Sequence, residues 1–420
     1  MFKKIIQKLK SPAILYTLSS LIYSFSTNMI LLFIPYKLNL ESMAQFTAIL
    51  NISFMLSFIF EFGIVTSFLR FNQLYSITKY VNAYMQIILF LFMFILAITS
   101  LGYPIDKFLA IDALNIDRGY VYLVAFVVLS WVFFKNIFLS NKKTEFIFFN
   151  ALILTIIRVL VLIAILIDSN KFSMQEIYLY LFILPFIFVI FFNLKNVFEN
   201  FTDSLKYISK KGVRAVFFKR FRSITFFALT TYIISILFVY ASRYPVIYLT
   251  KESVTKILAE IGYATTIGGI IIIFSVSIRS YFISKFNISN TDEIKRYIDI
   301  MFSYRYKVFL ITLTFAILVS YLIYLIKPDY LSFDTVVYVF ILVISYAFSS
   351  YLGMFSLLSK TFNFNNLELS LNIFRLLLVI FWTNLFLKDQ PIVGYIGLNF
   401  SMVAVEFIFA TIVLRRVAKR

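Results

Sequence analysis

Apolar stretches of about twenty residues, the length an α-helix needs to cross a bilayer, recur along this chain from end to end. They fall near residues 13–36, 43–68, 80–101, 119–140, 146–167 and 176–194. After a polar, basic stretch at 195–222, a second set falls near 224–249, 261–283, 305–326, 335–357, 365–387 and 392–414. A soluble domain is roughly 45–50% apolar and 25% charged. This chain is 61% hydrophobic and 14% charged, so the excess apolar surface must face lipid. The expected fold is an all-α polytopic membrane protein of about twelve transmembrane helices. They form two six-helix bundles, 1–194 and 223–420, joined by a basic cytoplasmic linker at 195–222.

Orientation follows from where the lysines and arginines sit between the spans. One side collects 26 of them, including Lys3, Lys4, Lys142, Lys143, the eight of 195–222, and Arg415, Arg416, Lys419 and Arg420 at the end. The other side has eight: Lys37, Lys107, Arg118, Lys171, Lys251, Lys256, Lys327 and Lys388. This bias places both termini in the cytoplasm. The first span lacks a small-residue cleavage site after it and is expected to be a retained helix. The net charge of +19 has the same origin. Nucleic acid is not an expected partner, because no soluble stretch is long enough for a basic domain.

Cysteine and histidine are absent, which removes disulfides, Cys- or His-based metal sites and Cys or His catalysis. There is no phosphate-binding GxxxxGK[ST] loop, so an ATP-driven motor is not expected in this chain. The sequence points to no catalytic residue, cofactor or metal.

Charges inside the spans are the informative exceptions, since each costs at least ~2.5–3.5 kcal/mol at mid-bilayer on insertion scales. The fifth span reads ILTIIRVLVLI and the eleventh LSLNIFRLLLVI, each with one arginine deep in an apolar helix, Arg158 and Arg375. Arg158 lies roughly 20 Å and Arg375 roughly 15 Å from its cytoplasmic end at 1.5 Å per residue. Their matching places in the two halves suggest duplication, and each is a candidate to hold an anion in a cavity. The alternative is a structural pairing with a carboxylate or a backbone carbonyl. Lys135, Arg243 and Arg279 lie nearer span ends, where snorkelling is an ordinary alternative to a cavity role. Asn28 belongs to a polar stripe on the first span with Thr17, Ser20, Ser24 and Thr27. Ser53, Ser57 and Glu61 form another in the second. Such stripes also mediate helix packing. Glu61 and Glu406 are candidate ion-coupling acids, while Glu368, two turns before Arg375, reads as a neutralising partner on the same face.

The segment LNLESMAQFTAILNISFMLSFIFEFGIVTSFLRF, Leu38 to Phe71, resembles the opening of Wzx-type polysaccharide flippases of the multidrug/oligosaccharidyl-lipid/polysaccharide exporter superfamily. The resemblance rests on Glu41 in the loop, then Glu61, Phe62 and Gly63, then Arg70. The second half carries an echo in SRYPVIYLTKESVTKILAEIGYATTIGG. There Ser242 stands before Arg243 where the family often has Asp, a departure that weakens any role carried over to Arg243. The resemblance implies a MATE-like arrangement of two bundles in the bacterial inner membrane. It also implies a lipid-linked oligosaccharide as substrate and other polysaccharide-assembly proteins as partners. Two rivals stand beside it. A cation or drug antiporter of the same superfamily would want an acid in the first span, and Ala13–Tyr36 has none. A membrane polysaccharide polymerase would want a sizeable outer loop, and the longest expected here is about Gly102–Arg118.

Overall fold

The computed structural model describes residues 12–61, 117–140, 144–167, 172–192, 255–269, 271, 296, 298–301, 303–361, 364–387 and 390–418. These residues are almost entirely helical. In chain order come α1 (Pro12–Phe33), a 3-10 turn (Ile34–Lys37), α2 (Leu40–Glu61), α3 (Arg118–Ser140) and α4 (Thr144–Ile167). α5 (Met174–Tyr178) passes through a π turn (Leu179–Ile183) into α6 (Leu184–Phe192). α7 spans 255–269. α8 (Arg305–Ile326), α9 (Asp334–Thr361) and α10 (Asn365–Trp382) follow; α10 runs into a second π turn (Thr383–Leu387), and α11 (Pro391–Ala418) ends the series. Among the described residues, five helices are long and apolar enough to cross a membrane: Glu145–Ile167, Arg305–Ile326, Asp334–Gly353, Asn366–Phe386 and Pro391–Val417. The protein is an all-α, multi-pass membrane protein.

Local chemistry sets several helix starts. Asn39 caps α2, its Oδ1 accepting the Ser42 N–H at 2.8 Å, and Asp117 caps α3 through the Gly119 N–H at 2.8 Å. Ser173 and Glu176 close a reciprocal capping box: the Ser173 N–H donates to Glu176 Oε2 at 2.7 Å, and the Glu176 N–H donates to Ser173 Oγ at 3.3 Å. Pro12 and Pro391 open α1 and α11, where a missing N–H costs nothing. α3 and α4, and likewise α9 and α10, have their bounds close to those the apolar runs predicted. α7 already includes residue 255, six residues before the predicted span. Lys256 and Glu260 made that turn look like a loop, but they sit one turn apart and pair at 4.0 Å, with Glu260 buried.

The chain divides into two compact units, Met1–Thr47 with Ala241–Arg420, and Ala48–Tyr240. In the first, α8, α9, α10 and α11 pack in sequence-adjacent pairs, with α9 also lying against α11. Leu352, Phe355, Leu371, Phe409 and Val413 form a core between them, joined by Met301. α8 meets α9 along one stripe and shows the rest of its surface, Leu310 at 68% and Ile311 at 66% exposure, as a helix in lipid should. α10 and α11 approach so closely that a Cβ on Gly397 would lie 2.2 Å from the Trp382 ring, whose Nε1–H donates to Ser401 Oγ at 3.0 Å. At the end of α1 the chain is tied to later segments. The Tyr330 hydroxyl donates to Pro35 O at 2.8 Å. Tyr36 donates to Ile326 O and lies 3.4 Å from the Tyr263 hydroxyl. Glu260 accepts the Ser332 N–H at 3.3 Å, and Lys256 reaches Asp334 at 3.8 Å.

In the second unit, α3, α4, α6 and the π turn pack together, and Val124, Val128, Ile147, Leu154 and Phe182 on them are buried. Ser53 of α2 donates to Val121 O of α3 at 3.1 Å, so one member of the second polar stripe serves helix packing.

Candidate functional site

The predicted site residues fall into three groups. Arg243 and Arg279 lie outside the described residues, as do the side chains of Lys135 and Glu61. Asn28 is described, and its Nδ2–H donates to the Ser24 carbonyl of its own helix at 2.8 Å. Ser26 and Thr27 bond back to the Tyr23 carbonyl in the same way, so this stripe spends donors on its own backbone. The third group is the deep charges, Arg158, Arg375 and Glu406.

α10 and α11 bring Arg375 and Glu406 together. The guanidinium Nη2 forms an ion pair with Glu406 Oε1, and Nη1 donates to Asn372 Oδ1 at 3.3 Å, one turn earlier on α10. The two charged side chains are 18% and 13% exposed and Asn372 is buried. α10 presents Asn372 and Arg375 on one face because they are three residues apart. The carboxylate that closes on the guanidinium comes from the neighbouring helix. The pair balances its own charge inside an apolar hairpin, and one of its members can take up a proton.

Arg158 meets a different environment. It is 3% exposed on α4. Its Nε–H donates to Leu181 O in the π turn at 3.2 Å, and its guanidinium carbon lies 5.5 Å from the Phe182 ring centroid. Two of its partners are therefore a backbone dipole and a π face, both of which favour a buried cation.

Compared with solved structures, the chain is similar over 99% of its length, and 98% of the other chain's, to a MATE protein crystallised in complex with MaD3S, at 14% identity and a TM-score of 0.49. It is also similar, over 98% of its length and 97% of the other's, to a mutant of the Vibrio cholerae MATE transporter VcmN, at 12% identity and a TM-score of 0.43. No protein-family model and no curated protein matches the chain.

Three participants were not picked out from sequence. Asn372 sits three residues before Arg375, a spacing that could have flagged it. Glu260, buried on α7, lies four residues after Lys256. Pro185 follows Leu181 by four residues, the one trace the sequence keeps of the carbonyl that Arg158 meets. No group of His, Cys, Asp and Glu suited to a metal occurs among the described residues.

Proposed function

We propose that this protein is a flippase. It moves an undecaprenyl-pyrophosphate-linked oligosaccharide repeat, of O-antigen or capsule type, from the cytoplasmic to the periplasmic leaflet of the bacterial inner membrane. Two six-helix halves, 1–194 and 223–420, alternate access to a central cavity, with both termini and the 195–222 linker in the cytoplasm. The observation that carries this reading is the Arg375–Glu406 pair. A carboxylate held on a guanidinium occupies the place a phosphate would take. A pyrophosphate brings more charge and more acceptor oxygens than the one carboxylate oxygen paired here, so it competes for the same guanidinium. A proton on Glu406 would release Arg375 for the head group, and its departure would restore the pair, coupling proton movement to lipid movement. The resemblance of Leu38–Phe71 to Wzx-type flippases supports the choice of cargo.

The test is reconstitution. Purified protein in liposomes is given a fluorescent undecaprenyl-pyrophosphate oligosaccharide, and its leaflet is read with an impermeant quencher. Translocation that depends on the protein and falls in Glu406→Gln is the expected result. Proton-linked efflux of an organic cation without lipid translocation would overturn the flippase in favour of an antiporter. Polymer formed from the lipid-linked repeat would replace both with a polymerase. Orientation is checked by a cysteine at position 205, which an impermeant reagent outside intact cells should leave unlabelled.

A further inference from the structure

The helix formed by α5, the π turn and α6 carries Pro185 in its middle, buried, within the run LYLFILPFIFVIFF. Proline has no N–H. In an α-helix the N–H of residue 185 would bond to the carbonyl of residue 181, and the proline ring also crowds that carbonyl. An acceptor left without its donor in the membrane is expensive, because no water replaces it. The chain meets this break in two ways. The backbone just before Pro185 widens into the π turn Leu179–Ile183, with the Leu184 N–H bonded to Leu179 O. Arg158 of α4 then brings its Nε–H to Leu181 O, the carbonyl from which Pro185 withholds a donor. The stack of the guanidinium on Phe182, the next residue, fixes the side chain over the turn.

We infer that Arg158 is a positioning residue that straps the Pro185 break to α4 by supplying the hydrogen bond the proline cannot, and that the break is a hinge in this helix. A helix bent at a proline and a π turn can change its angle without losing a run of α-type bonds, because the ladder is already interrupted there. The strap decides whether the hinge is held. The inference does not depend on what the protein moves, since the strap joins two elements of one unit.

A two-by-two comparison tests it, using the purified full-length chain in detergent: wild type, Arg158→Met, Pro185→Ala and the double variant. Alanine at 185 restores the N–H that bonds to Leu181 O, so the strap loses its purpose. Arg158→Met should lower Tm by several degrees in the wild-type background and by much less in the Pro185→Ala background. Hydrogen exchange at residues 179–184 should quicken in Arg158→Met and slow in Pro185→Ala. Arg158→Lys keeps a donor and a charge and should recover part of the loss, and it stands in for Arg158→Met if that variant does not accumulate. An equal loss of Tm in both backgrounds would overturn the strap. Unchanged exchange at 179–184 in Pro185→Ala would overturn the hinge. Both readouts are independent of transport, so failure here leaves the flippase proposal standing, and failure of lipid translocation leaves the strap standing.

Discussion

Arg158 and Arg375 occupy matching places in two similar sequence runs, yet the two units of the molecule treat them in opposite ways. In Ala48–Tyr240, Arg158 donates to a backbone carbonyl and lies over an aromatic ring. In the unit that holds Ala241–Arg420, Arg375 is closed by the carboxylate of Glu406. A carbonyl can neither be protonated nor leave, so its bond to Arg158 is architecture. A carboxylate can be neutralised, so its bond to Arg375 can be switched. What a buried cation is for depends on whether its partner can change state.

The contrast is most easily broken at Arg375. Arg375→Ala leaves Glu406 buried without its partner and should cost on the order of 3–5 kcal/mol, seen as a fall in membrane abundance. Adding Glu406→Gln should bring abundance back while lipid translocation stays lost. Normal abundance in the single variant would mean that the pair is not structural. Arg158→Met should cost less, about 1.5–3 kcal/mol for one charge-assisted hydrogen bond, measured by denaturation in mixed micelles. Its loss should be indifferent to Glu406→Gln, because the bond removed is the one to Leu181 O.

A third variant probes what holds the switchable pair's two helices together. Gly397→Ala drives a methyl group into the Trp382 ring and should cost ~1–3 kcal/mol by overpacking. If α10 and α11 must stay in close register for Arg375 to reach Glu406, translocation should slow in proportion, and an unaffected rate would loosen that link. The smallest effect belongs to Glu368→Gln. Glu368 acts on Arg375 from two turns away, so this change should cost less than about 1 kcal/mol and leave the proton dependence of transport intact. A defect matching that of Glu406→Gln would move the switch onto α10 itself.

Much of the scaffold could be read before any coordinates. α8 was expected at 305–326 and lies at Arg305–Ile326, and α4 begins two residues before its expected start at 146. Long runs of Leu, Ile and Phe locate a helix well because no other element buries them in lipid. Ends were harder where polar residues belong to the helix, as Lys256 and Glu260 show on α7. The deep arginines stood out because they interrupt apolar runs. Their partners did not, for a physical reason: a tertiary acceptor leaves no local periodicity. Glu368, at the right spacing within one helix, does act on Arg375 electrostatically, while the carboxylate of the Glu406 ion pair comes from the next helix. A backbone carbonyl has no letter at all, and only Pro185 betrays the one at Leu181.

The bonds at the end of α1 set an order of events during synthesis. Pro35 and Tyr36 leave the ribosome early, but the groups they bond to, the Tyr330 hydroxyl and the Ile326 carbonyl, are almost 300 residues downstream. At about 5–20 residues per second, that is roughly 15–60 s of translation. Through that interval the first helix must wait in the membrane with its closing contacts unmade, exposed to quality-control proteases and to pairing with the wrong helix. A helix made early is thus finished late, so a chain truncated before residue 326 would leave α1 permanently without those partners.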